Sequence, residues 1–199
     1  MRHASFRNLH LRTHGQSMIE TALLLPIMLL LAFNAINFGY FFFVALNLAA
    51  APRTGVQYSI IGFSTPAQLT IPVAGPASNV ASVSHLTYQD VTGVLSRASS
   101  ARVVVCSKQL GLDVQKRALC CQTTSSGGAC GSTGGAAGHD PEYDAANNFS
   151  PFIRHQVDIY YQIIPIIPSF SIPTPAGHIP LTLVPNTTFH RQVTMRAMD

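Results

Sequence analysis

The chain is poor in charged side chains. Asp, Glu, Lys and Arg make up 10% of its 199 residues, and its mean hydropathy is +0.26. So small a share of charge excludes an intrinsically disordered chain and a solvated nucleic-acid-binding surface. Once about 45 N-terminal residues are set aside as a leader and membrane segment, roughly 150 remain, which is enough for one outer domain.

Carboxylates are absent from the first 19 residues, and the acid that follows Glu20 is Asp90. The positive charge of this leader comes from three arginines: Arg2, Arg7 and Arg12. Under the positive-inside rule, a basic leader stays in the cytoplasm, and the polypeptide after the apolar run lies on the far side of the membrane. Beyond Ala51, nine Lys or Arg are set against seven Asp or Glu, so the remaining domain is close to neutral.

Motifs for catalysis and phosphate binding are missing. The chain has no GxSxG, HExxH or GxxxxGK[ST] pattern and no CxxC pair. The best candidate for a hydrolase site is a polar cluster beside a glycine-rich stretch: His139, Asp140, Glu142 and Asp144. Such side chains are more typical of a solvated loop, and the other histidines lack ligand spacing. The sequence therefore predicts no enzyme, no catalytic residue, no cofactor and no metal.

A long apolar run extends from Met18 to Leu46. As a helix it measures roughly 44 Å, at about 1.5 Å per residue, and so exceeds a bilayer core of about 30 Å. The far end is expected to tilt or project, with Tyr40 near an interface. Pro26 removes one backbone donor and predicts a local kink. Asn34, Asn37 and Gly39 interrupt the apolar surface, either to make contacts or as tolerated residues.

The remainder predicts an α+β fold, in which the long N-terminal transmembrane helix precedes a small extracytoplasmic domain with an antiparallel sheet and a packed helix. We expect three regions: a leader at 1–15, a transmembrane and juxtamembrane helix at 16–51, and the outer domain at 52–199. Pro52 is expected to end the helix, with a second short helix at 53–61. Further helix is predicted at 88–101 and strands at 102–106, 152–164, 181–184 and 188–197. In the strand at 152–164, alternate residues share one face that an antiparallel sheet with a packed helix would bury: Ile153, His155, Val157, Ile159 and Tyr161. The segments 62–84, 122–138 and 165–180 are predicted as loops or connections.

Four cysteines lie in this outer domain: Cys106, Cys120, Cys121 and Cys130. On the far side of a bacterial membrane they can be oxidised, and four cysteines allow three complete pairings. A bond between the adjacent Cys120 and Cys121 would be strained, so links from this pair to Cys106 and Cys130 are favoured. Free thiols in the Gly/Cys-rich loop at about 120–138 are the alternative.

The sequence around Gly15-Gln16-Ser17-Met18-Ile19-Glu20 resembles the processing site of class III or type IV prepilins. The wider segment to Pro26 resembles the VEFALVLP-type opening of TadE-like pilus assembly proteins. The matching positions are Ile19, Glu20, Ala22, Leu23, Leu25 and Pro26. Phe38-Gly39-Tyr40 resembles the FGR-type signal of that family, although Tyr40 replaces the arginine. The Ala-rich stretch to Tyr58 is similar to its AAREAARYA-type helix.

This resemblance implies a minor pilin or pseudopilin of a tight-adherence pilus or related secretion apparatus. A prepilin peptidase would cut after Gly15, so that Gln16 becomes the new N-terminus and Glu20 the fifth-position acid. The implied partners are other pilins or pseudopilins, the peptidase, the lipid bilayer and, indirectly, an assembly platform and ATPase. The implied location is the bacterial inner membrane, single-pass with a cytoplasmic N-terminus, and then the pilus.

The acid itself allows two interpretations. Glu20 could pair with the α-amino group of Gln16 on a neighbouring processed subunit, which would offset the cost of a carboxylate in the membrane. It could instead lie in the headgroup zone and complement its own helix N-terminus. A rival topology is a Sec signal peptide cut near Ala49-Ala50-Ala51, which would release a secreted binding domain, but its apolar region is usually only about 7 to 15 residues. A membrane-anchored binding domain or hydrolase is the remaining alternative.

Overall fold

The computed structural model of the chain describes residues 13–61, 71–92, 95, 101–124, 130–147, 152–167, 171–175, 177–180 and 187–197. The helices are α1 (Thr13–Ile61) and α2 (Val83–Thr92), with a 3-10 turn at Lys108–Leu110. The strands are β1 (Arg102–Cys106), β2 (Leu119–Thr124), β3 (Gly131–Ala136), β4 (Arg154–Ile163), β5 (Ser171–Thr174), β6 (Gly177–Pro180) and β7 (Thr187–Arg196). The predicted α+β class, with a long N-terminal apolar helix, is confirmed.

The chain divides into two compact units. One contains α1 up to Phe41 together with the segment Pro165–Pro185, which includes the β5–β6 hairpin. The other runs over Phe42–Ile164 and Asn186–Asp199 and contains the rest of α1, α2 and a five-stranded sheet. The boundary predicted at residues 51 and 52 marks the end of the membrane and juxtamembrane segment in the sequence, and it stays a prediction.

The sheet of the second unit has the strand order β3-β2-β1-β4-β7, and neighbouring strands are antiparallel. Its interior strands are rich in β-branched residues, which pack well on a pleated surface. The five alternate residues predicted to share one face of this strand are all buried: Ile153, just before β4, and His155, Val157, Ile159 and Tyr161 within it. The period-2 pattern therefore identified a buried face correctly, and Gln156 and Asp158 on the other face are buried as well.

Helix α2 begins earlier than the apolar spacing predicts. Ser82 precedes its first residue, and the Ser82 hydroxyl accepts a hydrogen bond from the backbone N–H of His85 at 3.1 Å. This satisfies one of the amide donors that a helix start leaves unpaired. The predicted helix at 88–101 was wrong in its start, and α2 ends at Thr92; residues 96–100 lie outside the described part of the chain.

Helix α1 continues through Pro52, so the predicted break into two helices was wrong. Within the second unit, apolar residues on both sides of the proline are almost fully buried: Val44, Leu48, Ala51 and Val56. Proline removes one helical hydrogen bond and crowds the preceding turn. The packing of this stripe stabilises the helix on both sides of Pro52, because most helical stability in proteins comes from a packed face.

Two predicted loops contain strands. β3 occupies Gly131–Ala136 of the glycine-rich stretch and pairs with β2, for example at Cys121 and Ser132. The connection predicted at 165–180 contains the β5–β6 hairpin. Glycine and proline lower the intrinsic preference of both segments for strand. Backbone hydrogen bonds to a neighbouring strand nevertheless stabilise these strands, and the composition does not reveal that pairing. The strand predicted at 181–184 lies outside the described residues.

Candidate assembly and anchoring site

The first half of α1 exposes an apolar surface. Every residue from Ser17 to Leu29 is exposed, including Met18 at 78% and Leu23 at 67%. Within the described residues, α1 is the one helix that is long and apolar enough to cross a membrane. A core helix of a soluble protein would bury such side chains in its own fold. The exposed surface is thus compatible with a single-pass membrane anchor.

The predicted processing residues lie at the start of this helix. The Gly15–Gln16 peptide falls in the first turns of α1, which begins at Thr13. One turn further, the Thr21 hydroxyl donates a hydrogen bond to the Ser17 carbonyl oxygen at 2.9 Å. The cleavage site and the fifth-position acid of the prepilin pattern thus occupy one continuous helical segment.

Glu20 is exposed on the same segment. Leu23 and Leu24 follow it at the spacings that place side chains on one helix surface, and they are 67% and 56% exposed. A carboxylate beside such residues would cost roughly 2.5 to 3.5 kcal/mol at the centre of a membrane helix, and less near its end. The cost makes Glu20 a candidate for a charge partner supplied by another molecule.

Pro26 lies within the exposed segment, and α1 continues through it. Because proline has no backbone N–H, the carbonyl of Ala22 loses its usual helical donor. In a hydrocarbon environment an unpaired carbonyl is costly, so neighbouring polar groups or helices usually satisfy it. Through the Ala22 carbonyl, Pro26 therefore adds a second polar group to the apolar surface besides the Glu20 carboxylate. Pro26 itself lies about one and a half turns after Glu20.

The two asparagines of the apolar run make different contacts. The Asn34 amide donates to the carbonyl oxygen of Leu30, in its own helix, at 2.9 Å. Asn37 is 1% exposed and pairs with the backbone of Ile167 in the same compact unit. Its Nδ2 donates to the Ile167 carbonyl oxygen at 3.1 Å, and the Ile167 N–H donates to its Oδ1 at 3.0 Å. Of the two alternatives left open by the sequence, contact or tolerance, Asn37 makes a contact.

The cysteines form two disulfides, Cys106–Cys120 and Cys121–Cys130. Cys106 and Cys120 are direct cross-strand partners on β1 and β2. Successive residues of a strand point to opposite faces of a sheet, so Cys120 and Cys121 direct their sulfur atoms to different faces. Each adjacent cysteine therefore bonds to a different outer partner, and both bonds connect to β2.

The polar cluster considered for hydrolysis makes ion pairs with the last strand. Arg196 of β7 donates to both carboxylate oxygens of Asp140, at 2.9 and 3.0 Å, and to Glu142 at 3.1 Å. The His139 ring stacks on Tyr143 with 4.0 Å between ring centroids. These contacts tie the segment after β3 to β7. Among the described residues no group of three or more His, Cys, Asp or Glu side chains is arranged to hold a metal ion.

A buried polar network, which the sequence pattern did not reveal, joins the end of α1 to β4. His155 Nε2 accepts from the Lys108 backbone N–H at 3.3 Å, so its Nδ1 carries the proton and donates to Ser59 Oγ at 3.0 Å. Ser59 Oγ in turn donates to the Val56 carbonyl oxygen at 2.7 Å. Burial lowers the pKa of His155 from 6.5 to about 4. Alternation predicted the inward direction of His155, but its partners are distant in sequence.

The fold and the exposed helix define a protein with a long apolar N-terminal helix and a small α+β domain. Residues 15–57, from the predicted processing glycine almost to the end of α1, match the family model described as TadE-like protein. The resemblance to TadE-like pilus assembly proteins is thereby confirmed for this region. No curated protein and no solved structure matches the chain in the corresponding comparisons. The TadE-like match thus covers 43 of the 199 residues and says what the N-terminal helix is similar to.

Proposed function

We propose that this protein is a minor pilin or pseudopilin that assembles through its N-terminal helix in a tight-adherence pilus or related secretion apparatus. The observation that carries the proposal is the exposed apolar surface of Ser17–Leu29, which bears Glu20 and lies inside the region of the TadE-like match. An apolar helix that its own chain leaves uncovered needs lipid or other helices around it. Lipid surrounds the apolar helix of a pilin before assembly, and the helices of neighbouring subunits surround it afterwards.

The proposed order of events combines the basic leader with what the resemblance to TadE-like proteins implies. The basic leader keeps the N-terminus in the cytoplasm, and the helix holds the unassembled subunit in the inner membrane. A prepilin peptidase removes residues 1–15 and leaves the α-amino group of Gln16. The platform and its ATPase then drive the subunit into contact with other pilins. The outer domain is carried along on the extracytoplasmic side.

Glu20 supplies register in this proposal. On a neighbouring processed subunit, the new amino group of Gln16 is a cation that can approach the Glu20 carboxylate. In an apolar environment an ion pair of these two groups costs less free energy than the two charges held apart. Since few other polar groups occur on the exposed segment, this ion pair would favour one axial position of a helix relative to its neighbour.

The N-terminal sequence of the protein purified from its native membrane tests the proposal directly. We expect it to begin at Gln16. A protein that begins at Met1 would be a permanent anchor and would contradict prepilin processing. A start near Pro52 would support release by a signal peptidase, although such a cut would fall inside α1, where Ala51 is 1% exposed.

A second proposed role is adhesion through the Gly/Cys-rich segment. Deletion of residues 120–138 would remove β3 and most of β2 from the sheet, so a loss of adhesion would not distinguish contact from unfolding. A sharper test introduces Ser125→Lys and Ser126→Glu, which add bulk and charge to a segment made of small residues, and retains Cys121 and Cys130. Loss of adhesion with intact filaments is expected; unchanged adhesion would contradict this role.

A further inference from the structure

The contact between Asn37 and Ile167 lies at a defined height along the anchor helix. From Met18, the first residue of the apolar run, the helix rises about 28 Å to Asn37 at about 1.5 Å per residue. The hydrocarbon core of a bilayer is about 30 Å thick. If the helix enters the core near Met18, Asn37 therefore lies where the helix leaves it on the far side.

The residues around Asn37 suit such a boundary. Ile36 and Phe38 are 52% and 53% exposed on either side of it. Tyr40 follows within one turn, and tyrosine is enriched where a membrane meets water because its ring is apolar and its hydroxyl is polar. The helix surface thus becomes richer in aromatic side chains at this height, with Phe38, Tyr40, Phe41, Phe42 and Phe43 following Asn37.

The segment that Asn37 binds is also suited to lipid. The carbonyl and N–H of Ile167 are both paired with the Asn37 amide, so these two backbone groups do not need water. Pro165 contributes no N–H donor at all. The next side chain, Ile166, is 59% exposed. Paired backbone groups at Ile167 and an exposed aliphatic side chain beside them suit the edge of the hydrocarbon core.

We propose that Asn37 holds the segment from Pro165 to Ile167 at the outer boundary of the bilayer core, with the Ile166 side chain inserted among the lipid acyl chains. The contact would make this segment a second point of membrane attachment. It would limit how far the anchor helix can slide or rotate in the membrane. The inference rests on the membrane anchoring contained in the proposed function, and it goes beyond that function by adding a lipid-binding surface.

The absence of tryptophan from the chain permits a clean test. The full chain carrying Ile166→Trp is reconstituted in vesicles of phosphatidylethanolamine and phosphatidylglycerol that contain spin-labelled lipid, with the label placed either shallow or deep. Short-wavelength emission and stronger quenching by the shallow label are expected. Two further chains serve as references: Leu25→Trp in the middle of the exposed helix, and Val114→Trp at a side chain that is 99% exposed.

The role of Asn37 is tested by adding Asn37→Leu to the Ile166→Trp chain. Leucine has a similar volume but forms neither hydrogen bond, so shallow quenching should fall several-fold. Quenching of Leu25→Trp should be unaffected by the same substitution, and circular dichroism should show unchanged helix content. Unchanged quenching at position 166 would overturn the role of Asn37.

The references separate this inference from the proposed function. Deep quenching of Leu25→Trp, combined with iodide quenching of Ile166→Trp as strong as that of Val114→Trp, would overturn the inference while anchoring stands. Short-wavelength emission at position 166 without quenching by either lipid would mean burial against protein and would also overturn it. Failure of both labels to quench Leu25→Trp would refute membrane anchoring and this inference with it.

Discussion

Residues 17–29 and 42–61 of α1 are both rich in apolar side chains, but their surroundings differ. In the first segment every side chain is exposed, whereas in the second a stripe from Val44 through Leu48 and Val56 is buried in the fold of its own unit. The second segment is therefore stabilised within the monomer. The first segment stays exposed in the monomer, so the same kind of sequence serves folding in one half of the helix and suits the proposed anchoring or assembly in the other.

Truncation of one leucine in each segment should separate these roles most strongly. Leu48→Ala, at a side chain that is 1% exposed, is expected to lower the free energy of unfolding of the outer domain by about 2 to 5 kcal/mol, because it leaves a cavity. Leu24→Ala, at one that is 56% exposed, should change it by less than about 0.5 kcal/mol. Chemical unfolding in detergent measures both. Equal costs would contradict the comparison.

Lowering the pH should destabilise the fold that contains the packed segment, because His155 becomes protonated. The unfolded side chain takes up a proton as the pH falls through 6.5, whereas the folded one does so only near 4. The free energy of unfolding should thus be unaffected by His155 above about pH 6.5 and should fall by up to about 3 kcal/mol between that pH and about 4. Unfolding curves across this range measure the fall.

Comparison of wild type with two variants isolates the contribution of His155 to the pH dependence of unfolding. His155→Asn should abolish the decrease, while His178→Asn, at an exposed position on β6, should preserve it. Burial raises the pKa of Asp158, and this shift changes the free energy of unfolding in the opposite direction. As the pH falls through that raised value, Asp158 adds stability. Wild type and variant must therefore be compared at each pH. A constant difference between wild type and His155→Asn would contradict the prediction.

Reduction should affect the sheet of the outer domain but leave the exposed helix unchanged. The two disulfides close short loops, with sequence separations of 14 and 9 residues, so the loss of either should cost about 2 to 3 kcal/mol on chain-entropy grounds. Paired serine variants, Cys106→Ser with Cys120→Ser and Cys121→Ser with Cys130→Ser, measure each bond. Peptide mapping that instead finds a Cys106–Cys121 linkage would contradict the pairing.

Glu20→Gln should have the smallest effect on folding and still prevent assembly. The residue is exposed on the segment outside the packed core, so the free energy of unfolding of the outer domain should change by less than about 0.5 kcal/mol. Without its charge the side chain cannot pair with an amino group on a neighbour, and filaments or crosslinked oligomers should be lost. Glu20→Asp is the matched control and should retain partial assembly. Normal filaments with Glu20→Gln would refute the proposed role.

Prediction from sequence succeeded where one local pattern dominates. The alternation of Ile153, His155 and Val157 identified a buried face at β4, and the length of the apolar run identified the long N-terminal helix. Prediction failed for β3, which depends on pairing with β2 and which the glycine content of residues 131–136 disguises. It also missed the start of α2, although the Ser82 hydroxyl that caps this helix is a local signal.

The candidate site also has features that the sequence predicts and one that needed the tertiary structure. The positions of Gly15, Gln16 and Glu20 are a matter of linear spacing, and their resemblance to a prepilin junction could be read without coordinates. Their cleavage and pairing remain predictions. The partner of Asn37 could not be predicted, because Ile167 is 130 residues away and contributes only backbone atoms, which carry no sequence signal.

The sequence by itself determined that this protein has a long apolar N-terminal helix preceded by basic residues, because length, hydropathy and charge act locally along the chain. It also determined the α+β class, since periodicity is a local property. Only the tertiary structure decided that α1 continues through Pro52, that β3 joins the sheet and that Asn37 pairs with Ile167. Each of these depends on packing or hydrogen bonds between residues far apart in sequence, whose free energy outweighs the local preference.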